Sequence, residues 1–165
     1  MSTSGVRLGI GYDSHRFAPG GPLILAGIRI PFDYSLVGHS DGDAVAHALT
    51  DAVLGAAAVG DIGEMFPDDD PTNRGANSME MLRAAVKRVH DAGWRVVNAD
   101  VAVVSETPRI APHRDAMRAS LAEALGVGVN AVMVKGKRNE RMGWIGRGEG
   151  LAVLAAVTLA STTER

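Results

Sequence analysis

The sequence predicts an α/β (α+β) sandwich, with one mixed sheet and helices on one face. Three observations predict it. Residues 6–12 are apolar and alternating, the mark of a strand. Three later stretches carry the helical period and end in stop signals. Strands return after the helices, giving the order βββ-αα-β-α-ββ, which suits a sheet covered on one side.

Each element has a local reason. Residues 6–12 form the first strand and end in Asp13-Ser14-His15. Residues 23–26 and 27–30 read as short strands between Pro22 and Pro31. Ser40 reads as a helix cap, with Asp43 three residues on. The helix then runs to about residue 59, apolar at Val45, Leu49, Ala52, Val53 and Ala56. Residues 60–77 read as loop. Asn77 caps a second helix reaching about residue 92, before Gly93. Residues 96–104 alternate as a strand. Residues 112–125 form a third helix, stopped by Gly126, and residues 131–135 and 150–160 are the last strands.

Composition bounds the class. At 165 residues the chain is expected to be one domain over residues 1–165. A net charge of −2 gives no basic field, so nucleic acid is not the expected partner. There is no cysteine and no long apolar run, so neither disulfides nor a membrane span is expected. The first seven residues lack the apolar region of a signal peptide. The expectation is a cytoplasmic protein. Aromatic content is 4%, so the core must be aliphatic.

Four constellations carry chemistry. Asp13 and His15 stand two apart on a strand, so they share a face. With His47 on the first helix they make a three-ligand set that leaves a position for water or substrate, the pattern of a catalytic zinc site. His47 lies four residues from both Asp43 and Asp51, which reads either as a solvated polar face or as a ligand with a carboxylate behind it. His39 and Ser40 precede the helix N-terminus, where a phosphate is favoured. Asp61, Gly63 and Asp68 belong to an acidic loop suited to hydroxylated ligands, or to a simple solvated turn. Residues 134–150 combine Lys135, Lys137, Arg138, Arg141 and Arg147 with repeated glycines, and Glu140 sits among them. Those cations suit phosphate, and Glu140 suits a divalent ion bridging two phosphates. The sum is a metal-dependent enzyme of a phosphorylated, hydroxylated small molecule.

The residues also carry a specific likeness. The chain resembles the 2-C-methyl-D-erythritol 2,4-cyclodiphosphate synthase family. The matching blocks are GYDSHRF (11–17), the long block from GHSDGD to FPDDDP (38–71), SETPRIAPH (105–113) and GRGEG (146–150). The resemblance implies conversion of 4-diphosphocytidyl-2-C-methyl-D-erythritol 2-phosphate to the cyclic diphosphate with release of CMP, in non-mevalonate isoprenoid synthesis. It implies Zn²⁺ or a similar ion on Asp13, His15 and His47, and Mg²⁺ or Mn²⁺ on Glu140 and the diphosphate. It puts phosphate contacts on His39 and Ser40, and methylerythritol contacts on Asp61 and Gly63 in the acidic loop with Asp68. The cytidine pocket falls on Ser105, Pro108, Arg109, Ile110, Ala111, Gly136, Lys137 and Arg138. Trp144 and Arg147 complete the expected substrate-binding set. It also implies a homotrimer with sites between subunits. Arg147 and Glu149 fall near the threefold axis, where some members hold an isoprenoid diphosphate.

One departure stands out. Lys137 and Arg138 replace the small hydroxyl residues usual in the family, so Arg138 is expected to grip the diphosphate as a cation. Two other classes fit parts of the pattern: a metal-dependent phosphohydrolase, and a non-enzymatic zinc-binding oligomeric module.

Overall fold

Pairing partners, more than local pattern, decide where the first strand ends. In the computed structural model, which describes residues 5–162, β1 runs Val6–Pro19. Residues 1–4 of the segment read as lacking a signal sequence lie outside the described residues. The last strand, β7 (Gly150–Ser161), pairs antiparallel with β1 from Val6↔Ala160 to Arg16↔Gly150. Asp13 and His15 therefore lie inside a hydrogen-bonded ladder rather than at its end. A short strand missed in the sequence, β4 (Tyr34–Leu36), continues the pairing along residues 17–19.

The main sheet has the order β4-β1-β7-β5-β6. Here β5 is Trp94–Val104 and β6 is Val132–Lys137. The β5–β6 pair is parallel and the others antiparallel, so the sheet is mixed as expected. The expectation of one sheet needs correcting. β2 (Leu23–Leu25) and β3 (Ile28–Ile30) form a separate hairpin. Ala26 and Gly27 both have positive φ, 54° and 72°, as the two central residues of a tight primed turn require. Gly27 is thus turn, not strand.

Three long helices cover one face: α1 (Ala44–Ala57), α3 (Ser78–Asp91) and α4 (Arg114–Leu125). Asn77 caps α3 and Gly126 ends α4 with φ 69°, both as the sequence predicts. The start of α1 is a correction. Its cap is Asp43, whose carboxylate accepts from Val45 and Ala46 N–H, and not Ser40. Asp43 is fully buried and also accepts from Ala26 (2.9 Å) and Gly27 (2.7 Å), so one carboxylate joins the hairpin turn to α1. Single-turn helices α2 (Ile62–Met65) and α5 (Gly143–Gly146) fall in segments too short to show a period. Residues 111–113, which include the predicted helix start at Pro112, form a 3-10 turn before α4.

Close backbone approach sets the layer spacing. A Cβ on Gly9 would lie 2.0 Å from the Ala52 carbonyl oxygen, and one on Gly11 1.8 Å from that of Ala48. No side chain fits there, so α1 rests directly on β1. The core between the layers is aliphatic, with Leu49, Val53, Val101, Leu121, Val153 and Val157 all buried.

The other sheet face is open and apolar. Val6, Leu8 and Ile10 are 73%, 70% and 77% exposed, and Tyr12 and Leu154 continue the stripe. A contiguous exposed apolar face of this kind marks an interaction surface. Among the described residues no helix is long and apolar enough to cross a membrane.

Candidate active site

The two-residue period of β1 turns Asp13 and His15 toward the helix layer, on the side of Gly9 and Gly11. His47, one turn into α1, meets them there. The ligand atoms of the three residues lie within 4.8 Å of one another. His15 Nε2 is 2.8 Å and His47 Nδ1 3.2 Å from Asp13 Oδ2, and the two nitrogens are 3.4 Å apart.

The outer partners fix what those atoms offer. His15 Nδ1 is 2.6 Å from the Val37 carbonyl oxygen, which only accepts, so Nδ1 carries the proton. His47 Nε2 is 2.8 Å from Ser78 Oγ and 2.9 Å from Ser40 Oγ. The Ser78 hydroxyl donates to Asp41, so it accepts from His47 Nε2–H. In the neutral imidazoles, two nitrogen lone pairs and one carboxylate oxygen then point at a common place. Three acceptors without a shared proton call for a cation, and a donor set of two imidazoles and a carboxylate suits zinc.

The electrostatics of the ion-free triad agree. Burial opposes ionisation of Asp13, but hydrogen bonds from His15 and His47 outweigh it and hold its carboxyl below the ordinary value. Burial likewise opposes charging of His15, yet the Asp13 carboxylate overcomes this and raises it. The Asp13 carboxylate thus favours the charged form of His15 when no ion lies between them.

Around the triad lies a cavity of about 530 Å³. His39, Ser40, Gly63 and Asp68, all expected at the site, line it together with Asp51, Asn73 and Met81. Asp61 is not among the lining residues; one of its carboxylate oxygens, Oδ1, caps α2 by accepting from Glu64 N–H at 2.8 Å. Asp51 shares the cavity with His47, as their spacing predicts, but neither Asp51 nor Asp43 stands behind the imidazole. Asp43 is buried under the hairpin, and Asp51 accepts from Ile62 N–H at 2.8 Å, pinning the α2 loop to α1. The groups behind His47 are Ser78 and Asp41. Sequence reasoning missed the role of both, because 31 residues separate Ser78 from His47.

A second hollow, of about 150 Å³, forms where the parallel strands β5 and β6 end. Ser105, Pro108, Arg109, Ile110, Ala111, Gly136, Lys137 and Arg138 all line it, as expected for one pocket. Ser105 N–H donates to the Lys137 carbonyl at 2.8 Å and locks the two strand ends together. A Cβ on Gly136 would sit 2.8 Å from Ile110 Cβ, so glycine permits that contact. Glu106 and Arg114 also line the hollow and were not foreseen. Arg138 is exposed and, among the described residues, has no hydrogen-bond or ion-pair partner. Glu140 is exposed on the following turn and lines neither cavity. Trp144 and Glu149 border a third hollow beside His15, and Arg147 donates to Glu149 at 2.6 Å.

The structure does not bring these halves together within one chain. Asp13 and His15 are on β1 and the second hollow is at the end of β6, three strand positions away in the sheet. At the usual strand spacing that is about 14 Å.

A family model described as the YgbB family matches residues 6–160, a span that includes the triad and both strand-end segments. The chain belongs to the YgbB family. Among relatives, it is 61% identical over 154 residues to the 2-C-methyl-D-erythritol 2,4-cyclodiphosphate synthase of Gemmatimonas aurantiaca, covering 93% of each chain. The bifunctional IspDF of Campylobacter jejuni superposes with a TM-score of 0.92 at 42% identity. That match covers 95% of this chain and 42% of the bifunctional one. The Plasmodium falciparum IspF CDP complex superposes with a TM-score of 0.85 at 30% identity, covering 98% of this chain and 100% of that one. The YgbB likeness extends through the sheet, the covering helices and both cavities.

Proposed function

We propose that this YgbB-family chain is a 2-C-methyl-D-erythritol 2,4-cyclodiphosphate synthase. It converts 4-diphosphocytidyl-2-C-methyl-D-erythritol 2-phosphate to the cyclic diphosphate and CMP. The observation that carries the reading is the convergence of three acceptor atoms from Asp13, His15 and His47 on one point, in a cavity joined to phosphate-capable groups. Its close relatives bear that activity in their names.

In this reading an oxygen of the 2-phosphate forms a bond to the β-phosphorus, and the bond from that phosphorus to the CMP oxygen breaks. No covalent enzyme intermediate is needed, so the protein positions the ends and stabilises charge. A divalent ion on Asp13, His15 and His47, zinc by donor type, would neutralise and polarise the phosphate it meets. His39 and the backbone before α1 bind the phosphate, while Gly63, Asp61 and Asp68 hold the methylerythritol hydroxyls. The hollow at Ser105 and 108–111 takes cytidine, with Gly136 and Lys137 at its edge. Glu140 would hold Mg²⁺ or Mn²⁺, which would neutralise charge on the diphosphate, and Arg138 grips that group by charge. Trp144 packs beside the substrate.

The reading includes a homotrimer of cytoplasmic single-domain subunits. Two observations support the trimer: the open apolar sheet face, and the separation of the halves within one chain. A neighbouring copy brings its nucleotide half to this triad. Arg147 and Glu149 lie toward the threefold axis, with an isoprenoid diphosphate as the axial ligand.

Phosphorus NMR of the purified protein with the diphosphocytidyl substrate tests the reading. The expected products are the cyclic diphosphate and CMP. Inorganic phosphate with no cyclic product indicates a hydrolase and overturns the proposal. Mixing inactive His47→Ala and Glu140→Ala subunits tests the shared site, and restored activity is expected after exchange.

A further inference from the structure

The turn that carries Glu140 is held from outside. After β6 the backbone reverses before α5, and Glu140 and Arg141 both take left-handed φ, 51° and 59°. Neither is glycine, and two successive residues of this kind are disfavoured without external support. Glu106, in the segment that follows β5, supplies that support. Its Oε1 accepts from Asn139 N–H at 3.0 Å and from Arg141 N–H at 2.9 Å. One oxygen thus binds the amides on both sides of Glu140, and the turn wraps around it as a backbone nest wraps an anion. Gly146 closes the opposite side, since a Cβ there would fall 2.0 Å from the Arg141 carbonyl carbon. Asn139 completes the turn, donating from its amide to the Met142 carbonyl at 2.9 Å. The Glu140 backbone is fixed while its carboxylate stays exposed. Glu106 also lines the hollow with Ser105 and Pro108, so the same side chain touches both loops of the nucleotide half.

We propose that Glu106 is a positioning residue. Its carboxylate sets the left-handed turn that aims Glu140 at the divalent cation on a nucleotide diphosphate, and it ties that aim to the 105–111 segment. This rests on the reading of Glu140 as a cation ligand.

The test is Mn²⁺ binding to the zinc-loaded protein in the presence of CDP, followed by the electron paramagnetic resonance of free Mn²⁺. Glu106→Ala is expected to weaken Mn²⁺ binding about 10-fold, as loss of an orienting partner does elsewhere. Zinc content stays within about twofold of the parent, below the smallest effect expected of a lost orienting partner. Glu106→Gln, which keeps an acceptor oxygen without its charge, falls between, and carries the test should Glu106→Ala not fold. Glu106→Ala/Arg141→Gly recovers much of the lost affinity, because glycine adopts the left-handed turn unaided. A role in overall stability alone does not produce that rescue. Mn²⁺ binding unchanged in Glu106→Ala and Glu106→Gln but lost in Glu140→Ala overturns the inference and spares the ligand reading. A double variant no better than Glu106→Ala also overturns it. Unchanged binding in Glu140→Ala overturns the ligand reading and the inference with it.

Discussion

Ser78→Ala isolates the group behind His47. Ser78 is fully buried, and its hydroxyl accepts from His47 Nε2–H at 2.8 Å while donating to Asp41. Alanine removes both bonds, and with them the 3.0 Å hydrogen bond to Ser40 Oγ, but leaves the helix start intact, because Asn77 remains the cap. Each former partner keeps one substitute. His47 Nε2–H still reaches Ser40 Oγ at 2.9 Å, and Asp41 Oδ1 still accepts from Asp43 N–H at 3.1 Å. Loss of an outer partner typically lowers metal affinity about 10- to 100-fold. With Ser40 still in place the lower end applies, about 10-fold or ~1.4 kcal/mol. In Ser40→Ala/Ser78→Ala the imidazole N–H loses both partners, and the loss should reach about 100-fold. The assay is Zn²⁺ competition with a chromophoric chelator at pH 7.5, with thermal unfolding as the check on folding. A Ser78→Ala affinity within twofold of the parent would refute the claim that Ser78 fixes the His47 tautomer.

Three further outcomes follow from the same geometry. Asp43→Ala strips the acceptor from four backbone N–H groups, those of Ala26, Gly27, Val45 and Ala46, and should destabilise by about 4 kcal/mol in denaturant titration. A loss under about 1 kcal/mol would contradict the role of Asp43 as joint between hairpin and α1. For pH, the signs of the two triad groups are opposite. His15 is raised above 6.5, so its ion-pair stabilisation of the metal-free protein is full below that value and fades as pH rises through its folded value. Asp13 is lowered below 3.8, so its share is full above that value and is lost as pH falls through its folded value. Zinc needs the neutral imidazoles, so the gain in Tm on adding zinc should grow steadily from pH 5.5 to 8, and a flat gain would refute it. Arg138→Thr should raise KM, with a smaller effect at high salt because Arg138 is exposed; an unchanged KM at both ionic strengths removes Arg138 from the site.

Much of this molecule was legible in the chain itself. The alternation of residues 6–12, the Asn77 cap and the Gly126 stop are local signals, and they placed β1, α3 and α4. Asp13 and His15 were legible as a pair because a period of two puts them on one face, and His47 joined them by its ligand type and by the resemblance. What was hidden depends on pairing or on contacts across the sequence. β1 continues to Pro19 because β7 and β4 lie beside it, and its own polar residues give no sign of that. Ser40 looked like the cap because it precedes an acidic residue at the right spacing. Asp43 takes that place because it can satisfy the hairpin amides as well. Ser78 and Glu106 act on residues 31 and about 33 positions away, where no periodicity reaches. The resemblance to the synthases supplied the substrate and the reaction, which no spacing could.

The missing side chains at Gly9 and Gly11 have a consequence for how the metal arrives and leaves. Because α1 sits on bare backbone, the strand that carries Asp13 and His15 cannot slide or hinge relative to the helix that carries His47. The coordination geometry is cast when the protein folds, before any ion is present. Loading then needs only ligand exchange, with both imidazoles neutral. Chelation should strip the ion without melting the chain, so an apoenzyme can be prepared, stored and recharged with different metals on one unchanged framework. A bulkier residue at either glycine would spread the three donors apart, altering which ion the site prefers without touching a single ligand.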